Sequence, residues 1–145
     1  MAKIIAAINM TLDGYCDHTA VIPDDSMVDH FTALLKSADL ILYGRITYQL
    51  MEDAWPELVK NPSGEKSADD FAVAIDQIPK LVFSRTLKTL KWDSATLADQ
   101  DLEAEVVRLK QQPGKTILVG CRSLIPLRNP PALQVVMYLV AMQMH

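Results

Sequence analysis

The sequence predicts one α/β domain built on a mostly parallel sheet with helices on both faces. Short continuous apolar runs alternate with stretches whose apolar residues recur at helical spacing. Strands that lack polar alternation are buried on both sides, as happens when helices cover a parallel sheet. The length of 145 residues suits a single unit spanning 1–145.

The first run, Lys3-Ile4-Ile5-Ala6-Ala7-Ile8-Asn9, reads as a buried strand, and Asp13-Gly14 as the turn signal after it. From Asp24 to Lys36 the apolar positions are Met27, Val28, Phe31, Leu34 and Leu35, with acids at the start and Lys36 at the end, which predicts a helix. Leu40 to Tyr43 reads as a second strand ended by Gly44, with a short helix expected from Arg45 to Glu52. Trp55-Pro56 to Lys66 reads as a polar loop. Ser67 and Asp70, in capping-box spacing, then open a helix with Phe71, Ala72, Ile75 and Ile78 inside. Lys80 to Phe83 is a third strand, and Ser94 to Ala98 a short fourth. Asp99 and Asp101 begin a helix carrying Leu102, Val106 and Leu109, stopped by Pro113-Gly114. Thr116 to Val119 is another strand, ended by Gly120. From Asn129 to His145 there is no Lys, Arg, Asp or Glu; Leu133 to Met144 reads as one apolar strand, which must be paired or covered.

Composition excludes several classes. The net charge of −4 offers no basic footprint for nucleic acid. Two cysteines, Cys16 and Cys121, make no disulfide framework and no zinc motif, so a reducing, cytoplasmic setting is expected. No apolar run reaches the roughly 20 residues of a membrane helix, and no targeting segment is visible. Cys16-Asp17-His18 has no partner cluster, so no metal is expected.

Ligands of open parallel sheets gather at the carboxyl ends of the strands. Gly44-Arg45-Ile46-Thr47 combines a glycine, a helix start, a guanidinium and a hydroxyl, a set suited to phosphate; its plainer reading is a tight turn with a solvated arginine. Ser84-Arg85, with Lys88 and Lys91 behind, suits a phosphate monoester, or is a charged loop in water. Gly120-Cys121-Arg122 permits close backbone approach to a pyrophosphate, or simply terminates a strand. Thr11-Leu12-Asp13-Gly14 places a carboxylate at a strand end, where it could move a proton or form an Asp-Gly turn. Neither a GxGxxG nor a Walker A sequence is present.

The ordered set of these pieces, together with Ala54-Trp55-Pro56 and Val82-Phe83-Ser84-Arg85-Thr86-Leu87, resembles the dihydrofolate-reductase-like superfamily. It is most similar to the reductase domain of the bifunctional riboflavin-biosynthesis deaminase/reductase and its single-domain bacterial relatives, over residues 1 to about 125. The resemblance implies a twisted, mainly parallel sheet and an NADPH-dependent reductase acting on a small heterocyclic or sugar-derived substrate. By position, it assigns Gly44, Arg45 and Thr47 to the cofactor phosphates, and Ser84 and Arg85 to the 2′-phosphate. Gly120, Cys121 and Arg122 would lie beneath the pyrophosphate and nicotinamide. Thr11, Asp13 and Trp55 would face the substrate, Asp13 as the candidate proton donor; Trp55 reads equally as a core anchor.

Two departures qualify the resemblance. Cys121 stands where the family has a second glycine or small residue. Residues 126–145 have no Asp-Glu and no glycine, so the family's closing C-terminal strands are expected to be missing and exposed edges to be covered in a homodimer or higher homo-oligomer. That tail leaves a second reading open, a truncated, non-catalytic nucleotide-binding relic. Of the remaining residues, His30 reads as a partly exposed helix position, and Asp99, Asp101, Glu103 and Glu105 as helix-start charges on a solvated face.

Overall fold

The computed structural model describes residues 3–11, 25–120 and 135–142, the stretches 7–11 and 135–142 as backbone only. Within them the chain forms β1 (Lys3–Thr11), α1 (Asp25–Ser37), β2 (Leu40–Gly44), α2 (Arg45–Lys60), α3 (Lys66–Gln77), β3 (Lys80–Phe83), β4 (Ala95–Leu97), α4 (Leu102–Lys110), β5 (Thr116–Val119) and β6 (Val135–Met142). The six strands make one sheet in the order β4-β3-β2-β5-β1-β6. Every pairing is parallel. The charge-free run near the C-terminus is thus paired, lying along β1 from Ile4↔Val135 to Thr11↔Met142.

Strand residues alternate between two apolar layers. Ile4, Ala6, Leu42, Leu81, Ile117 and Val119 face one side, where Val106 and Leu109 of α4 cover them. Ile5, Ile41, Tyr43, Val82 and Leu118 face the other, under Leu35 of α1, Tyr48 of α2, and Ala74 and Ile75 of α3. Asp101 caps α4 as its sequence position predicts, its carboxylate accepting from the Ala104 N–H at 2.8 Å.

Three expectations are corrected. The helix from Arg45 does not stop at Glu52 but runs through Trp55 and Pro56 to Lys60. An interior proline removes one backbone bond and costs about 3 kcal/mol in an isolated helix. Here Tyr48, Met51 and Trp55 form a continuous inward stripe on the core, which offsets that loss. No capping box forms at α3: its N-cap is Glu65 with no side-chain cap bond, and Asp70 pairs instead with Lys66 at 2.6 Å. The preceding turn is closed by Asp69, which accepts from the Ser63 N–H and Oγ and the Gly64 N–H. Glu105 is not on a solvated face; it is 3% exposed, and accepts from Arg108 Nε and Nη2 at 3.0 and 2.7 Å and from Gln100 Nε2 at 3.3 Å.

One polar group lies deep in the fold. Lys80, 1% exposed at the start of β3, donates to the Ile78 carbonyl at 2.9 Å and to Ser94 Oγ at 2.6 Å. Its ammonium sits 3.9 Å from the centre of the Trp92 ring. Trp92 Nε1 in turn donates to Asp76 at 2.7 Å. Burial pushes the Lys80 ammonium down to about 8, against a smaller upward pull from Asp76.

Lowering an amine's pKa on folding means that between about pH 8 and 10 the unfolded chain binds more protons than the folded one. Stability contributed through Lys80 therefore rises with pH across that window, by about 2 kcal/mol between pH 8 and 10. Urea unfolding of the wild type and Lys80→Met at pH 8, 9 and 10 checks this. The wild-type curve is expected to climb more steeply, and parallel curves would refute the assignment.

Candidate functional site

With all strands parallel, their carboxyl ends lie along one edge. Register brings three of the turns singled out in the sequence together there. Gly44 is aligned with Phe83, and Val119 with both Leu42 and Ala6. Arg45, Ser84 and Gly120 therefore leave from three neighbouring strands, each about 4.8 Å from the next.

The first turn opens α2. Gly44 is its N-cap, buried, with φ −80° and ψ 169°, an extended conformation that any residue adopts. Gly44 contributes no side-chain cap to this 16-residue helix and no acid occupies its first turn, so the positive end of α2 lies at this edge. Arg45 is exposed and donates through Nη1 to the neutral amide of Gln49 at 3.2 Å. Thr47 is half-buried one turn in.

The second turn is shaped by Ser84. Its Oγ accepts from the backbone N–H groups of Thr86 at 3.2 Å and Leu87 at 3.0 Å. Arg85 lies between those anchored positions and is exposed. Ser84 thus builds the turn that presents Arg85, a role its sequence position did not indicate.

The third turn is governed by packing. The Gly120 N–H donates to the Leu42 carbonyl at 3.1 Å. A Cβ at this position would lie 2.7 Å from Tyr43 Cε1 and 2.9 Å from Ile41 Cδ1. Two buried side chains thus account for the glycine without any ligand.

Other candidates stand elsewhere. Thr11 closes β1 on the same edge, aligned with Met142. Asp13, Cys121 and Arg122 lie outside the described residues. Trp55 is not brought to the edge: it is 11 residues into α2 from Gly44, about 16 Å down the helix. Its ring packs on Phe71 of α3 with centroids 4.5 Å apart, the core-anchor alternative. A shallow depression between Gln100, Asp101, Arg108 and Gln111 lies on the outer face of α4, apart from these three turns. Among the described residues, no three or more His, Cys, Asp or Glu side chains converge to hold a metal ion, and no helix is long and apolar enough to cross a membrane.

One constellation escaped the sequence reading. Tyr48, 1% exposed, donates its phenol proton to Glu52 and accepts from the Trp92 N–H at 3.4 Å. Glu52 also accepts from the Lys91 N–H at 3.2 Å. Burial, reinforced by the adjacent carboxylate, pushes the Tyr48 phenol well above its ordinary range. The i, i+4 spacing of Tyr48 and Glu52 was visible; the partners 39 and 44 residues away were not.

Comparison with known proteins agrees with this architecture. Residues 2–125 match the RibD C-terminal domain family. The chain is 32% identical over 127 residues to YyaP of Bacillus subtilis (strain 168), itself uncharacterized. That alignment covers 85% of this chain and 65% of YyaP, so the chain spans just under two thirds of that relative's length. The crystal structure of a protein from Shewanella sp. PV-4, provisionally assigned to riboflavin biosynthesis, superposes with a TM-score of 0.54 at 18% identity. It covers 85% of this chain and 67% of the other, a likeness of fold.

Adding a methyl group at Gly120 forces the Tyr43 ring and Ile41 to move within a packed layer. Gly120→Ala is expected to destabilise the fold by about 1–3 kcal/mol. A lowered urea midpoint with unchanged m-value would register it, and an unchanged midpoint would show that the layer yields freely.

Proposed function

The chain belongs to the RibD C-terminal domain family, and from that premise we propose that it is an NADPH-dependent reductase passing a hydride to a small heterocyclic or sugar-derived acceptor of the riboflavin-pathway type. The observation that carries the reading is the matched register that sets the α2 N-terminus beside the Ser84–Arg85 turn. The donor set fits a phosphorylated dinucleotide. A helix start with no acid in its first turn and two exposed guanidinium groups share an edge, and Arg45 is bonded to a neutral amide.

In this reading the first-turn N–H groups of α2, with Arg45 and Thr47, hold the pyrophosphate. Arg85 grips the 2′-phosphate through its fork, and Ser84, assigned to the same phosphate, fixes the turn. Gly120, with Cys121 and Arg122 following it, borders the pyrophosphate and nicotinamide. When bound, NADPH supplies the hydride. The chain's own part is mainly positioning and exclusion of water. Thr11, at the end of β1, and Asp13, two residues further in sequence, are assigned to the substrate, with Asp13 delivering the balancing proton.

Titration calorimetry with NADPH and NADH tests the cofactor assignment. The wild type is expected to bind NADPH below millimolar and more tightly than NADH. Arg85→Ala is expected to weaken NADPH by about tenfold or more, leaving NADH nearly unchanged. Unchanged NADPH affinity in Arg85→Ala would overturn the assignment. Oxidation of NADPH with pyrimidine or pteridine acceptors separates a working reductase from a non-catalytic nucleotide binder.

A further inference from the structure

The connection from β3 to β4 covers residues 84–94 and returns across the sheet without a helix or a strand. Leu87, Leu90 and Trp92 turn inward onto the core, whereas Arg85, Lys88 and Lys91 are exposed. Lys80 of β3 anchors the far end of this strap, its N–H donating to the Ser94 carbonyl and its ammonium to Ser94 Oγ, and three further side-chain pins hold the rest. One pin is local, the Ser84 hydroxyl. A second comes from α3, where Asp76 accepts from Trp92 Nε1. The third comes from α2: Glu52 accepts the Lys91 N–H, while Tyr48, itself bonded to Glu52, accepts the Trp92 N–H.

Only this third pin reaches the strap from the helix whose first turn carries Arg45. We propose that Glu52 is a positioning residue that fixes the spacing between the α2 turn and the Ser84–Arg85 turn, and thereby sets the preference for a 2′-phosphorylated dinucleotide. The proposal rests on the cofactor reading above. An Arg fork on a phosphate is sensitive to placement, and displacement of a recognition group by about 1 Å can be felt strongly. A dinucleotide without the 2′-phosphate leans on the α2 turn and does not need the strap. Loosening the strap therefore lowers affinity for one cofactor and spares the other, which general loss of stability does not do.

The experiment compares NADPH and NADH affinities in the wild type, Glu52→Ala, Glu52→Gln and Arg85→Ala by calorimetry at one temperature and salt. Glu52→Ala is expected to lose about tenfold in NADPH affinity with less than about threefold change for NADH. Glu52→Gln keeps an oxygen acceptor for the Lys91 N–H and the Tyr48 phenol, and is expected to restore the wild-type ratio. Where Glu52→Ala does not fold, Tyr48→Phe removes a donor to Glu52 and the acceptor of the Trp92 N–H, and is expected to lower the ratio in the same direction. If Arg85→Ala erases the preference while folded Glu52→Ala, or Tyr48→Phe in its place, keeps it, the Glu52 inference fails and the cofactor reading stands. If the wild type itself shows no preference for NADPH, both fall.

Discussion

The parallel pairing of β2 with β3 on one side and β5 on the other governs the molecule. Those backbone bonds fix register to the residue, since a shift by one position would turn Ile41, Leu42 and Tyr43 to the wrong layers. Because the direction of every strand is shared, the same bonds decide which loops can meet. Gly44, Ser84 and Gly120 have no freedom to lie anywhere but on one edge, whatever their own chemistry. The helices follow from that frame: α1 and α4 lead into the next strand, α2 and α3 together join β2 to β3, and each covers one apolar layer.

Much of this was legible in the residues. β3 and β5 coincide with continuous apolar runs, because burial on both faces removes the polar alternation that blurs strand boundaries. The Asp101 cap was visible because it acts within three residues. What failed to show was set by tertiary contacts. Pro56 looked like a stop because its penalty is local, whereas the stripe of Tyr48, Met51 and Trp55 that sustains α2 matters only once a core is there to receive it. Glu105 looked solvated because its partners Gln100 and Arg108 resemble any other surface pair until the helix is placed. At the edge, the residue types of the turns were readable, and their adjacency required the strand order. The Tyr48–Glu52–Lys91 link joins parts of the chain too far apart for any periodicity to reveal.

Gly44 and Gly120 carry similar sequence signals, each a glycine closing a buried strand. Their physical reasons differ. Gly44 has ordinary backbone angles and opens α2, so its value lies in the helix start it places at the edge. Gly120 is hemmed in by Tyr43 and Ile41, so its value lies in what it leaves room for inside the protein. The third turn is thus shaped by internal packing, and only the first two turns present cationic side chains among the described residues.

The placement of β5 between β2 and β1 also bears on how the chain acquires its form. Lys3 to Ala6 find their partners at Thr116 to Val119, more than 100 residues later. During synthesis the two halves of the sheet have no centre until that late segment emerges from the ribosome. Until then β1 and β2 each present an unsatisfied inner margin, and loop-closure entropy opposes their union. A nascent chain halted before Thr116 would hold the four helices and β1 to β4 but neither the central β5 nor the outer β6, so its passage through that interval invites help from folding factors.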